Sequence, residues 1–165
     1  MEAARESRLW GDALLPNSER EHVAIFSPLG EPRFALGLET IYEGYLLHFG
    51  RPRLFAPADD DDALLLGDYL YAHGLVRIAE LDPLTAVADL AELISLCAQT
   101  RAENGDGDGV LWAATAATLG AGRLDEARTA LRVRRDPSAL EALARETAGD
   151  EAVEQALAAH AERLR

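Results

Sequence analysis

Apolar residues recur every three or four positions along most of this chain, and that spacing is typical of amphipathic α-helices rather than strands. The first such stripe, in residues 34–49, is made of Phe34, Leu38, Ile41, Tyr45 and Phe49. Alanine and leucine dominate, whereas β-branched residues are sparse and never alternate with polar ones. We therefore predict an all-α fold: a single-domain helical bundle of about six to eight helices.

Two longer helices are expected to follow, over residues 62–81 and 83–103. We expect the first to bury an apolar stripe made of Leu65, Tyr69, Ala72, Val76 and Ala79, with Leu66, Leu70 and His73 beside it. The corresponding stripe in the second helix is made of Leu84, Val87, Ala91, Ile94 and Ala98, flanked by Leu90, Leu93 and Cys97. Asp82 is expected to cap the second helix, and Pro83 to be its first residue. Because the connection is so short, the two helices should lie antiparallel and bury their stripes.

Both ends of the chain differ from this central part. Residues 1–33 lack a sustained period and are expected to form an irregular N-terminal segment, in which residues 22–26 are either a short strand or a buried turn. Residues 34–165 then form the helical domain. Its last part, residues 123–165, is expected to contain three short helices.

The charge of the chain excludes several classes of function. Its 165 residues suit one domain, and 29 acidic against 16 basic residues give a formal net charge of −13. Nucleic acids and anionic membranes bind basic faces, so neither is expected as a partner. The chain has no lysine, which excludes Schiff-base and P-loop chemistry, and a single cysteine, which excludes an internal disulfide. Because no signal peptide and no membrane-spanning apolar run is visible, we expect a cytoplasmic protein.

Four consecutive carboxylates at residues 59–62 are the most conspicuous polar feature. Carboxylate oxygens suit Mg²⁺, but neighbouring helical residues point about 100° apart, so four in a row cannot all face one ion. We therefore expect this run to cap the helix that follows it, where negative charge stabilises the first turn. A magnesium site that combines Asp60 and Asp62 with Asp68 is the alternative.

Two further features could be mistaken for metal sites. Residues 104–109 imitate the start of a calcium-binding loop, but Thr115 stands where that loop needs a bidentate glutamate, so we expect a flexible helix connection. None of the four histidines has a second histidine or cysteine at metal-ligand spacing. We therefore expect His48 and His73 at the edge of the core and Cys97 inside it.

Five aromatic residues cluster near the helix over residues 34–49 and its exit: Phe34, Tyr42, Tyr45, Phe49 and Phe55. An exposed apolar cluster of this kind usually marks an interface. We therefore predict self-association or a protein partner through these rings. The alternative is that all five belong to the core.

Three runs in the middle of the chain are similar to runs in one family of helical enzymes: Leu64-Leu-Leu-Gly-Asp-Tyr-Leu70, Gly50-Arg51-Pro52 and residues 111–120. The first is similar to a helix start in that family, and the second to the Gly-Arg-Pro or Gly-Lys-Pro ahead of it. The third is similar to a later Lys-Thr-Ala helix, without its lysine. Through these runs, residues 34–120 resemble the polyprenyl diphosphate synthases, which have the isoprenoid synthase fold.

The same resemblance implies that the metal site of that family is missing here. Its enzymes bind a diphosphate through Mg²⁺ on an aspartate-rich motif, in the run Leu-Ile-His-Asp-Asp. The equivalent run in this chain is Leu46-Leu47-His48-Phe49-Gly50, with an aromatic ring and a glycine in place of the two aspartates. Residues 123–165 contain no second aspartate cluster. The resemblance therefore implies a shortened relative that lacks the aspartate-rich motifs.

We predict a non-catalytic helical subunit or interaction domain that pairs with itself or with a catalytic partner and needs no cofactor. The resemblance provides the precedent, because some prenyl synthases combine a catalytic subunit with a small silent helical one. One alternative is a minimal Mg²⁺-dependent prenyl-diphosphate enzyme that uses the run 59–62, with Asp60, Asp62 and Asp68 as ligands. The other is an unrelated helical scaffold whose alanine and leucine content produces the likeness.

Overall fold

The computed structural model describes residues 8–81 and 84–165, and it confirms the all-α fold class. Two short 3₁₀ turns, Ser27–Leu29 and Pro32–Phe34, precede the second of the eight α-helices that these residues form. In chain order the helices are α1 (Arg8–Ala13), α2 (Ala35–Phe49), α3 (Asp60–Ala79), α4 (Leu84–Ala102), α5 (Asp108–Ala117), α6 (Asp125–Arg134), α7 (Ser138–Ala148) and α8 (Asp150–Arg163). The expected cap at Asp82 and Pro83 lies outside the described residues. None of the helices described is long and apolar enough to cross a membrane.

The acidic run of residues 59–62 caps the N-terminus of α3, as predicted. Asp59 lies just before the helix, and its carboxylate accepts a hydrogen bond from the Asp62 N–H at 2.9 Å. Asp60, Asp61 and Asp62 occupy the first turn, where the positive end of the helix dipole favours carboxylates. The run therefore has a structural role that requires no metal ion.

Glycines let α2 and α3 pack with their backbones in contact. Gly37 and Gly44 of α2 face Gly74 and Gly67 of α3, so the two helices run antiparallel. A Cβ atom added to Gly44 would lie 2.8 Å from the Gly67 carbonyl oxygen, and one added to Gly74 would lie 2.9 Å from the Gly37 carbonyl oxygen. Only a residue without a side chain permits this approach. The glycine crossing, as we call these four residues, therefore decides which side of α3 faces α2.

The buried sides of α3 and α4 are not the stripes expected from the sequence, although the two helices do contact each other. Besides its two glycines, α3 buries Leu66, Leu70 and Ile78. The expected stripe of α3 is exposed apart from half-buried Tyr69, at Leu65, Ala72, Val76 and Ala79. The expected stripe of α4 is exposed at Leu84, Ala91 and Ala98 and half-buried at Val87 and Ile94. The residues expected only beside the stripes are the buried ones, apart from half-buried His73: Leu66, Leu70, Leu90, Leu93 and Cys97. The predicted stripes were wrong because leucine and alanine occur on all sides of these helices, so their period alone does not identify the buried side.

One hydrophobic core runs through the bundle, and Trp112 of α5 is its largest fully buried side chain. The N-terminal segment contributes Ile25, Phe26 and Leu29 to the same core. Residues 22–26 form no strand, and they are a buried turn only in part: residues 22–24 are exposed and irregular, whereas Ile25 and Phe26 lie in a buried bend. A smaller second cluster packs Trp10 of α1 with Leu47, Phe55, Leu66 and Leu70.

Candidate functional site

The three aspartates of the magnesium alternative do not converge in the structure. Asp60 and Asp62 lie in the first turn of α3, whereas Asp68 lies farther along the helix, with its Oδ1 3.2 Å from His48 Nε2. Burial lowers the pKa of His48 in spite of this neighbouring carboxylate. Within residues 8–81 and 84–165, no group of three or more histidine, cysteine, aspartate or glutamate side chains is placed to hold a metal ion.

The five aromatic residues predicted as an interface lie inside the fold. Phe49 is half-buried, and the other four are buried: Phe34, Tyr42, Tyr45 and Phe55. The reason is the central position of α2, which α3 covers on one side while Trp112 packs against Tyr42 and Tyr45 on another. The prediction of an exposed aromatic interface is therefore wrong, and the alternative that these rings belong to the core is what the structure shows.

A buried polar network joins α2, α4, α5 and α8 beside these rings. The Tyr45 hydroxyl donates a hydrogen bond to Asp108, and Arg101 pairs with the same carboxylate while donating to the Tyr45 oxygen at 2.8 Å. His160 Nδ1 forms a hydrogen bond with the Tyr42 hydroxyl at 2.9 Å, and its Nε2 lies 3.7 Å from Asp108 Oδ1. We call Tyr45, Arg101, Asp108 and His160 the Asp108 network.

Asp108 is held ionised in this network. Burial opposes the charge of its carboxylate, but His160, Tyr45 and Arg101 outweigh that effect and hold the pKa of Asp108 well below its ordinary value. Burial and the neighbouring carboxylate raise the pKa of Tyr45, so its hydroxyl keeps its proton and remains a donor. The network therefore holds four helices together through hydrogen bonds and ion pairs to one charged carboxylate.

We expect Asp108→Asn to lower the free energy of unfolding by about 3 kcal/mol at pH 7, because Arg101 loses its counter-ion at a largely buried site. The loss should shrink below about pH 4. An aspartate in the unfolded chain has a pKa of about 3.9 and the native carboxylate a lower one, so its contribution is present above that pH and declines as the pH falls. Urea unfolding of both proteins from neutral to acidic pH measures the difference. A difference that is constant with pH would contradict a role for the charge of Asp108.

Two glutamates on α2 hold the N-terminal segment and the chain after α2 in place. The Glu39 carboxylate accepts hydrogen bonds from three successive backbone N–H groups, those of residues 25–27, at 2.9 to 3.1 Å. The Glu43 carboxylate accepts the backbone N–H groups of residues 53 and 54, each at 2.7 Å. Charged acceptors form the stronger class of protein hydrogen bond, so these two side chains fix both segments to α2.

Arg53 joins the two carboxylates. Its Nε donates to Glu43 Oε2 at 2.9 Å, and its Nη1 donates to Glu39 Oε2 and to the Val23 carbonyl oxygen, both at 2.6 Å. The side chains of Arg53 and Glu43 are only 4% and 2% exposed. Burial opposes the charge of Arg53, but the two carboxylates outweigh that effect and raise its pKa. We call Glu39, Glu43 and Arg53 the Arg53 network.

A cleft of about 250 Å³ lies between residues 21–24 and the α2–α3 pair, and the Arg53 network lines it. Its more buried end is lined by Leu54, Phe55 and Leu70. Its exposed end is lined by His22, Val23 and Leu36. Thr40 of α2 and His73 of α3 also line the cleft. An apolar recess with a few polar groups is the usual form of a small-molecule site.

A second apolar surface lies on the solvent side of α3 and α4, opposite to their buried sides. On α3 it consists of Leu65, Ala72, Val76 and Ala79, and on α4 of Leu84, Ala91 and Ala98. We call these seven residues the outer face. Leu65 and Val76 are each 57% exposed and Leu84 is 84% exposed. Large apolar side chains that stay exposed along one side of a helix are typical of an interaction surface.

Neither polar network was predicted from the sequence. The Arg53 network could have been, because two of its residues have a recognisable spacing in the sequence. The only acidic residues of the apolar helix α2 are Glu39 and Glu43, which lie one turn apart. Two carboxylates on one side of a buried helix require a cationic partner, and Arg53 follows that helix closely. Asp108 had no comparable signal, because it is one of several acidic residues in a glycine-rich run.

Comparison with known proteins found no match for the chain. No family model matches it, and neither a curated protein nor a solved structure matches it.

Proposed function

We propose that the chain is a non-catalytic helical subunit that pairs with a second copy of itself through the outer face. The observation that carries the proposal is the exposure of Leu65, Val76 and Leu84 on two helices whose other sides are already buried. Burying such side chains contributes about 25 cal/mol per Å² of apolar surface. Because Ala72 lies between Leu65 and Val76, and Ala91 follows Leu84 on the same side of α4, another helix can approach this surface closely.

A second copy is the occupant that this surface fits best. It presents the same seven side chains, so pairing about a two-fold axis places apolar groups against apolar groups. The net charge of −13 on each chain opposes this pairing, but dissolved salt screens charges that are spread over the surface. We therefore expect the dimer to strengthen as the salt concentration rises, whereas an interface built on ion pairs weakens.

The resemblance to polyprenyl diphosphate synthases supports the same role. Residues 34–120, which contain α2 to α5, have Phe49 and Gly50 where the first metal-binding aspartates of that family would stand. Neither side chain offers an oxygen ligand to Mg²⁺. The proposal therefore assigns no reaction and no cofactor to this chain, and it places the subunit in the cytoplasm. A catalytic subunit of that family is the alternative partner for the outer face.

Val76→Glu is expected to raise the dimer dissociation constant by about tenfold or more, because it places an unpaired carboxylate in an apolar interface. At high protein concentration the wild type should sediment at twice the 17.8 kDa of one chain, and the variant at the mass of one chain. Val133→Glu is the matched control. Val133 of α6 is 72% exposed and lies outside the outer face, so its substitution should leave the measured mass unchanged.

Sedimentation also distinguishes the competing explanations. A wild type that stays at the mass of one chain at high concentration and high salt would contradict pairing with itself. Equal dissociation by Val133→Glu would place the interface elsewhere. If a monomeric wild type binds a purified prenyl synthase catalytic subunit and Val76→Glu prevents it, the role of subunit stands and the partner changes.

A further inference from the structure

We infer that the cleft beside the Arg53 network binds a small uncharged molecule with an apolar chain and one hydroxyl or carbonyl group. The cleft uses Leu70, His73 and Arg77 of α3, whereas the outer face uses other residues of the same helix. This binding site is therefore independent of the pairing proposed above, and either can be present without the other.

The size and the buried end of the cleft define the apolar part of the ligand. A volume of about 250 Å³ is slightly below the range of about 300 to 1,000 Å³ that is typical of ligand sites, so the ligand must be small. Leu54, Phe55 and Leu70 enclose its buried end with hydrocarbon and an aromatic ring. An alkyl chain placed against them leaves water and gains dispersion contacts, which favours binding without any charge on the ligand.

The charges around the cleft are balanced, and this balance favours an uncharged ligand. The two carboxylates of the Arg53 network lie in a lining that also contains the guanidinium groups of Arg53 and Arg77. The remaining acidic residue of the lining, Glu21, pairs with Arg163. A charged ligand would lose its hydration without gaining a counter-charge, and that loss is large for an ion.

His73 provides the polar contact. Its ring lines the cleft and stacks on Tyr69, with the ring centroids 5.7 Å apart. Its Nε2 atom is buried and has no hydrogen-bond partner among residues 8–81 and 84–165, which destabilises the protein until a partner is present. A ligand hydroxyl can donate to this nitrogen or accept from it, and a carbonyl oxygen can accept. Thr40 donates its own hydroxyl to the Leu36 carbonyl oxygen at 2.7 Å and keeps an acceptor site for the ligand.

Three probes of equal chain length test the inference: 1-octanol, octanoate and octylammonium. Each is titrated into the ¹⁵N-labelled full chain at neutral pH while the backbone amide resonances are followed. We expect 1-octanol to shift the resonances of residues 21–24 and of His73, and to bind about tenfold more tightly than either ion. Equal or tighter binding of either ion would overturn the inference, as would shifts confined to the outer face.

A pair of histidine variants tests the polar contact. His73→Phe keeps an aromatic ring beside Tyr69 and removes Nε2, so its affinity for 1-octanol should fall by about tenfold. His48→Phe makes the same change on α2 outside the cleft lining and should leave the affinity unchanged. An unchanged affinity in a folded His73→Phe variant would overturn the inference. If that variant does not fold, the comparison of the three probes on the wild type decides the question.

Discussion

Alanine in place of Gly74 is expected to lower the free energy of unfolding by about 3 kcal/mol, although alanine is the better helix former. The added Cβ would lie 2.4 Å from Ile41 Cγ1 and 2.9 Å from the Gly37 carbonyl oxygen. Helix propensity favours the substitution by about 1 kcal/mol. A backbone oxygen cannot move away by changing a rotamer, however, so α2 and α3 must separate and lose packing along their length.

Urea unfolding of single and double glycine variants measures this effect. Gly44→Ala should cause a similar loss, because its added Cβ would lie 2.8 Å from the Gly67 carbonyl oxygen. Once one alanine has separated the helices, the second clash is partly relieved, so the double variant should lose less than the sum. Gly105→Ala is the control: its nearest neighbour would be 3.4 Å away, and the change should stay within about 0.5 kcal/mol. A stabilising Gly74→Ala would contradict the backbone contact.

Arg53→Met is expected to lower the free energy of unfolding by about 4 kcal/mol. The substitution leaves the carboxylate of Glu43, which is 2% exposed, buried without a counter-charge. It also removes the donor that Glu39 and the Val23 carbonyl oxygen share. Adding Glu43→Gln should recover about half of the loss, because the amide removes the charge while its oxygen still accepts the two backbone N–H groups.

Arg51 offers a matched control two residues earlier in the chain. Its side chain is exposed and donates to the Glu162 carbonyl oxygen at 2.8 Å. Arg51→Met should therefore change the free energy of unfolding by about 0.5 kcal/mol or less. Equal losses at Arg51 and Arg53, or a double variant no more stable than Arg53→Met, would show that the buried charge is not the cause.

The helices of this fold follow from local signals in the sequence. A stripe of spacing three and four over residues 34–49 predicted α2, which the structure forms over Ala35–Phe49. The carboxylate of Asp59 caps α3 as predicted. These features depend on neighbours within a turn or two, so the sequence of a short window is enough to identify them.

The sides that α3 and α4 bury depend instead on contacts between helices. Gly37 and Gly44 are seven residues apart, and so are Gly67 and Gly74, which places each pair on one side of its helix. That equal spacing was visible in the sequence and is a better guide to the buried side than leucine and alanine, which occur all round. The polar partners of Glu39 and Asp108 come from other segments, so periodicity within one helix could not identify them.

The hydrogen bond between Tyr42 and His160 joins residues 118 positions apart. During synthesis on the ribosome, α2 emerges long before α8. The rings of Phe26 and Tyr42 therefore lack their contact with the His160 ring until α8 has been synthesised. The Arg53 network, by contrast, is complete once residue 53 has emerged. The growing chain can therefore fix its N-terminal segment to α2 early. The side of the Phe26 and Tyr42 rings that His160 contacts stays uncovered until α8 has been synthesised. Chains that stop before α8 should be the ones that molecular chaperones capture.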